Sequence, residues 1–158
     1  GLPVGAYGAS KKIMAYVSPD GPVYQAGTLS GNPVAMAAGI AQLTECARPG
    51  FYEDQLERTL FFVEKINKHA LKMGYDFELV TIGSIFWLSF EGEKRILRAD
   101  EINPKMDGFK KLFSALLNRG VYLGPSGYEV GFISAAHTKA HLTTAATAFC
   151  DALDEVFA

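Results

Sequence analysis

The sequence predicts an α/β fold in which helices cover one face of a small sheet. After residue 75, segments rich in β-branched and aromatic residues alternate with segments of helical periodicity, in the order β-β-α-β-β-α. Before residue 50, one apolar segment and two helical segments, the second rich in alanine, do not make a domain by themselves. We therefore expect a small α/β sandwich domain joined to the edge of a larger domain.

Composition places the chain among folded globular proteins and limits the classes of partner that it is expected to bind. Of its 158 residues, 49% are hydrophobic and 20% are charged, which excludes a disordered chain. The net charge of −2 argues against nucleic-acid binding, and no stretch approaches the roughly 20 apolar residues that span a membrane. The two cysteines lie far apart without metal-binding spacing, which suits a reducing, cytoplasmic location.

The first part of the chain is predicted to form a strand and two helices. Residues 2–7 are apolar and interrupted by glycine, which predicts a buried strand, and Ser10 can cap a short helix. Asn32 followed by Pro33 is a strong helix start, and this helix should run to about Cys46. Because the chain opens on core-like residues without an initiator methionine, we expect it to be a piece of a longer protein.

The rest of the chain is predicted to begin with a long helix and to continue as the small domain. The amphipathic helix over residues 51–74 is a connector between the large-domain part, residues 1–50, and the small domain, residues 75–158. The elements predicted within the small domain are paired strands over 77–90, a helix over 109–117, short strands at 121–123 and 131–134, and a last helix from about residue 138.

Two loops carry residue types that can bind ligands. The loop over residues 24–32 places Gly27, Thr28 and Ser30 before a helix N-terminus, where backbone N–H groups and hydroxyls can hold a phosphate. An ordinary capped loop explains the same residues, since small polar residues precede most helices. Glu129, between two apolar strands, is either a partly desolvated carboxylate for charge recognition or a solvent-facing strand residue.

Other residues with possible chemistry are assigned structural roles. His137 and His141 have metal-compatible spacing, but no third ligand is near them in sequence, so helix capping or exposure is favoured over a metal site. His69 is predicted to be solvated on a charged helix face, and Trp87 to lie in the core. The cysteines are predicted to be buried apolar residues, and no lysine has the apolar setting that a Schiff base requires.

Three segments of the chain resemble one enzyme family. They are residues 1–8 (GLPVGAYG), residues 21–33 (GPVYQAGTLSGNP), and residues 122–138, which contain YLGPS and EVGFISAAHT. Together they closely resemble the glutamate-1-semialdehyde 2,1-aminomutases, which are class-III pyridoxal-phosphate aminotransferases by family. Related aminotransferases share the Gly-Asn-Pro helix start, whereas QAGTLS at residues 25–30 is the aminomutase version.

The resemblance implies a fold, a reaction and a set of site residues. It implies the type I fold of pyridoxal-phosphate enzymes, of which this chain is expected to be the C-terminal part, assembled as a homodimer. The implied reaction is an isomerisation that converts glutamate 1-semialdehyde to 5-aminolevulinate in tetrapyrrole (porphyrin) biosynthesis. Gly27 and Thr28 are expected to bind the phosphate of pyridoxal 5'-phosphate across the dimer interface, and Glu129 and Tyr24 to face the substrate.

The same resemblance places one essential residue outside the sequence. In the family, the lysine that forms the Schiff base with the cofactor precedes the segment matching residues 1–5, so we expect it upstream of Gly1. The chain alone is therefore expected to be inactive. Two alternatives stay open: a class-III aminotransferase that acts between two separate substrates, and a stand-alone dimerisation module.

Overall fold

The computed structural model describes residue 2 and residues 4–91, 96–103 and 107–157. The chain divides into two units, Gly1–Phe51 and Tyr52–Ala158. The assignment of residues 1–50, 51–74 and 75–158 to parts of two domains stays a prediction, and the long helix groups with the second unit. No helix within the described ranges is long and apolar enough to cross a membrane.

The first unit contains two helices joined by a long loop. Helix α1 (Lys11–Met14) follows Ser10, whose side chain makes no capping hydrogen bond, so the predicted cap is wrong. Helix α2 (Pro33–Cys46) follows Asn32, whose side-chain oxygen accepts hydrogen bonds over 3.1 Å from two backbone N–H groups of the first turn. Both predicted ends of α2 are therefore confirmed.

The predicted strand over residues 2–7 is wrong. Leu2 and residues 4–7 are exposed and have no regular structure, and Tyr7 is 62% exposed. A strand needs a neighbouring backbone as its hydrogen-bond partner, and no described strand pairs with this segment. Apolar composition alone therefore does not make this segment a strand.

The second unit contains an antiparallel sheet whose three strands follow one another in the order β1-β2-β3. Strands β1 (Glu78–Ile82) and β2 (Ile85–Ser89) form the predicted hairpin, and Gly83 lies in its turn with a φ of 57°, which favours glycine. Strand β3 (Gly131–Phe132) pairs with β2 and is shorter than predicted.

The predicted strand at residues 121–123 is also wrong. Gly120 has a φ of 78°, and the backbone N–H of Val121 donates to the carbonyl of Leu116 over 2.9 Å. This hydrogen bond completes the C-terminal turn of the preceding helix, so the backbone of Val121 does not join the sheet. The side chains of Val121 and Leu123 still pack against the core. The apolar pattern therefore marks core-facing residues here, not a strand.

Three helices lie on one face of the sheet: the two predicted for the small domain, and the long helix predicted as a connector. They are α3 (Phe51–Met73), α4 (Asp107–Asn118) and α5 (Lys139–Phe157). Their buried side chains pack with the inward residues of the sheet, and the core members are Ile66, Leu79, Phe86, Leu88, Leu112, Leu116, Phe149 and Leu153, among others. The ends of α3 and α4 are marked by glycines with positive φ, which stop a helix without a steric penalty.

None of the described helices of the second unit lies on the opposite face of the sheet. Val80 and Trp87 are register partners on this face, and Val80 is 45% exposed. Trp87 is only partly buried, so the prediction that it belongs to the core is wrong. It alternates with Phe86 and Leu88, which occupy the core face of the same strand.

Candidate functional site

The loop before α2 presents free hydrogen-bond donors. Ser30 and Asn32 donate their backbone N–H groups to the carbonyls of Gly27 and Leu29, at 2.9 and 3.1 Å, and so form a turn. The N–H groups of Gly27, Thr28 and Leu29 have no acceptor among the residues that the structure describes. Three amides and a threonine hydroxyl are therefore available to a ligand at this turn.

The chemistry of this loop fits a phosphate group. A Cβ atom at position 27 would lie 2.9 Å from the Ser30 hydroxyl oxygen, so a larger residue there would have to displace this hydroxyl. Residues 21–44 contain no carboxylate, so the loop sequence places no negative charge of its own beside a bound anion. Amides and hydroxyls at the start of a helix are the donor set that phosphate prefers.

The four predicted site residues fall into two places. Tyr24, Gly27 and Thr28 share the loop of the first unit, where all three are exposed and Tyr24 is 84% exposed. Glu129 is also exposed, and it belongs to the second unit. The structure therefore brings the two predicted phosphate ligands together with one of the two predicted substrate residues.

Glu129 stands at the end of a tight turn that is tied to the sheet. Its backbone N–H donates to the Ser126 carbonyl over 3.0 Å, and the N–H of Tyr128 donates to the Ser126 hydroxyl over 3.3 Å. The indole Nε1–H of Trp87 donates to the carbonyl of Gly127 over 2.8 Å. Trp87 and Gly127 are 40 residues apart, so no local pattern in the sequence could reveal this contact.

A cavity of about 410 Å³ opens beside the turn, within the second unit. Its volume falls within the range of small-molecule sites. The walls are mostly aromatic and aliphatic side chains of the sheet and helices, and the polar lining includes Ser126, Glu129, His137 and His141. No pattern in the sequence reveals this cavity, because its walls come from separate elements.

The two histidines of the cavity organise the start of α5. His137 Nδ1 accepts a hydrogen bond from the backbone N–H of Ser134 over 2.9 Å. His141 Nδ1 accepts from the N–H of Thr138 over 3.4 Å, while the Thr138 hydroxyl accepts from the N–H of His141 over 3.2 Å. This reciprocal pair is a capping box with histidine in the third helical position. Helix capping, favoured from the sequence, is confirmed for His141.

A second polar cluster joins α3 to α5. His69 Nε2–H donates to Asp154 Oδ1 over 2.7 Å, and the Tyr75 hydroxyl donates to the same oxygen over 2.9 Å. The His69 side chain is only 24% exposed, so the prediction that it is solvated is wrong. The hydrogen bond from His69 lowers the pKa of Asp154, and burial together with the hydrogen bond to Asp154 raises the pKa of Tyr75.

The cysteines show no sign of nucleophilic activation. Cys46 and Cys150 are free and partly buried. Burial raises the pKa of the Cys150 thiol, so this thiol stays protonated near neutral pH. Both cysteines are therefore assigned to packing, although they are less buried than predicted.

Solved structures with a similar fold are transaminases. An ω-transaminase from Sphaerobacter thermophilus matches with a TM-score of 0.79 and 20% identity, over 96% of this chain and 35% of its own. A transaminase with PLP bound matches with a TM-score of 0.74 and 23% identity, over 92% and 33%. A β-phenylalanine aminotransferase from Variovorax paradoxus matches with a TM-score of 0.79 and 27% identity, over 94% and 34%. The chain has the aminotransferase fold.

The aminotransferase fold confirms the fold class predicted from the sequence. The chain spans about a third of the length of the transaminase structures that it matches. No family model matches the sequence. Because one fold supports many reactions, the reaction has to be argued from the site residues.

Proposed function

We propose that this chain is part of a pyridoxal-phosphate-dependent aminomutase that converts glutamate 1-semialdehyde to 5-aminolevulinate. The observation that carries the proposal is the loop QAGTLS at residues 25–30, which has the aminomutase sequence and presents free amide donors before α2. The aminotransferase fold supports it, because pyridoxal phosphate is the cofactor that the resembling family uses. When bound, this cofactor stabilises negative charge on the substrate carbon by acting as an electron sink.

Gly27 and Thr28 are proposed to hold the cofactor phosphate. The Thr28 hydroxyl and the backbone amides of Gly27 and Thr28 would donate hydrogen bonds to the phosphate, and the N-terminus of α2 would favour its negative charge. Gly27 leaves the Ser30 hydroxyl in its place beside the free amides. Loop geometry, free donors and the sequence resemblance thus support the same ligand.

Glu129 and Tyr24 are proposed to face the substrate. A carboxylate accepts hydrogen bonds from the amino groups that the reaction moves, and Glu129 is the carboxylate beside the cavity of the second unit. Tyr24 can offer a phenolic hydroxyl near the cofactor phosphate, since it lies three residues before Gly27. Neither residue is proposed to form a covalent bond.

A cytoplasmic homodimer completes the proposal. In the resembling family, the residues that match Gly27 and Thr28 reach the phosphate in the neighbouring subunit's site. Apolar side chains are exposed on more than one side of α2, where Val34, Ile40 and Leu43 are 66%, 67% and 68% exposed, which supports cover of this helix by further protein.

The reaction can be tested on the full-length protein loaded with pyridoxal phosphate. Incubation with glutamate 1-semialdehyde, without any second amino donor or acceptor, is expected to yield 5-aminolevulinate, because a mutase moves the amino group within one carbon skeleton. The matched control is the same protein without cofactor, which should be inactive. Product formation that requires an added keto acid or amine would contradict the aminomutase proposal.

A class-III aminotransferase is the second candidate. It is favoured by one observation, that the matching structures are an ω-transaminase and a β-phenylalanine aminotransferase among others. An enzyme of this class needs two separate substrates, so the incubation above separates the candidates directly. The remaining alternative, a stand-alone module, is tested by the intact mass of the natural protein, which for a module should match the 17.1 kDa of this chain.

A further inference from the structure

The turn that carries Glu129 makes two contacts with residues outside it. On one side, the indole of Trp87 on β2 donates to the carbonyl of Gly127, the buried residue of the turn, over 2.8 Å. On the other side, the carboxylate of Glu129 folds over Gly124. The contact with Trp87 involves the backbone of the turn, and the contact with Gly124 involves the side chain of its last residue, Glu129.

Gly124 leaves the space that the Glu129 carboxylate occupies. A Cβ atom at position 124 would overlap Oε2 of Glu129 and would lie 2.9 Å from its Cδ and 3.0 Å from its Cβ. Any other residue at 124 therefore has to displace the Glu129 side chain. Because the displaced atoms are the end of a flexible side chain, the change is expected to move the carboxylate at little cost to the fold.

We propose that Trp87 and Gly124 are positioning residues that set the direction of the Glu129 carboxylate. The inference rests on the proposed function, in which that carboxylate meets the substrate amino group. Trp87 holds the backbone of the turn against the sheet, and Gly124 leaves the space that the side-chain conformation of Glu129 lying across it requires. A glutamate on an exposed turn otherwise samples several rotamers, and fixing one places its oxygens for the substrate.

The test is a double-mutant cycle on the full-length, cofactor-loaded enzyme. Gly124→Ala and Trp87→Phe are each made in the native protein and in Glu129→Gln, and kcat and KM are measured separately. Each positioning variant is expected to lower kcat/KM between about tenfold and about a hundredfold in the native protein, since small misplacements of a site group are costly. In the Glu129→Gln background the same variants should have little further effect.

Two controls separate positioning from general damage. Ile82→Ala changes a residue on the same sheet face that is 78% exposed, and it should leave kcat and KM unchanged. Gly124→Ala should keep the thermal unfolding midpoint, and its crystal structure should show the Glu129 carboxylate displaced. If Trp87→Phe does not fold, Gly124→Ala carries the test alone.

The outcomes distinguish this inference from the proposed function. Undiminished activity of Glu129→Gln would contradict the proposed role of Glu129 in the reaction. The crystal structure of Gly124→Ala would then still show whether Gly124 sets the direction of the Glu129 carboxylate. A loss of activity in Glu129→Gln that adds in full to the loss in Gly124→Ala would overturn the inference. An unmoved carboxylate in that crystal structure would overturn it as well.

Discussion

His69 Nε2 on α3 lies 2.7 Å from Asp154 Oδ1 on α5, although the two residues are 85 positions apart. The Tyr75 hydroxyl donates to the same carboxylate oxygen over 2.9 Å, just after α3 ends. One carboxylate therefore joins the C-terminal end of α3, the tyrosine two residues beyond it and the last helix.

Acid is expected to weaken this contact. The hydrogen bonds lower the pKa of Asp154 in the folded chain, so the unfolded chain takes up its proton at a higher pH. The stabilisation is therefore present above the ordinary carboxyl pKa and is lost as the pH falls below about 5 towards the lowered value. Asp154→Asn should reduce the urea unfolding midpoint at pH 7 and make it less sensitive to acid.

Asp151→Asn is the matched control for this prediction. Asp151 lies on the exposed side of the same helix, so its removal should preserve the acid sensitivity of the native protein. Tyr75→Phe removes one of the two hydrogen-bond donors to Asp154. The acid sensitivity of this variant should lie between that of the native protein and that of Asp154→Asn. Equal acid sensitivity in Asp154→Asn and the native protein would show that this carboxylate is not responsible.

Asn32→Ala should destabilise the start of α2 by about 1 kcal/mol, because two backbone N–H groups lose their acceptor. The direct measurement is amide hydrogen exchange at Val34 and Ala35, which should become faster. Asn32→Asp retains a side-chain oxygen and serves as the control. Unchanged exchange in Asn32→Ala would contradict the capping role.

Gly131→Ala should destabilise the second unit by about 1–3 kcal/mol through overpacking. A Cβ atom at this position in β3 would overlap the ring of Phe86, which is only 4% exposed and cannot move into solvent without opening the core. Denaturant unfolding measures the effect. In a Phe86→Leu background the added cost of Gly131→Ala should shrink, and strict additivity would argue against the clash.

Thr28→Val should weaken the retention of pyridoxal phosphate by the full-length protein by about 1–3 kcal/mol, the value of one hydrogen bond to a charged group. Equilibrium dialysis gives the dissociation constant. Thr28→Ser keeps the hydroxyl and should bind nearly as well as the native protein. The phosphate assignment fails if valine and serine variants retain cofactor equally.

Local sequence signals were reliable where the chain satisfies its own hydrogen bonds nearby. The cap of α2 needs only Asn32 and the residues just after it, and the β1–β2 hairpin needs only Gly83 between two apolar runs. Helix periodicity similarly predicted α3, α4 and α5. The strands predicted at residues 2–7 and 121–123 failed because a strand depends on a distant partner that an apolar run does not specify.

The sequence by itself determined the fold class, the long helices and the hairpin. These follow from spacing and from turn chemistry within a few residues. Only the tertiary structure decided that Trp87 lies outside the core and binds the turn of Glu129. It also decided that His69 pairs with Asp154. Those contacts join residues 40 and 85 positions apart, and such pairings are set by how the elements pack.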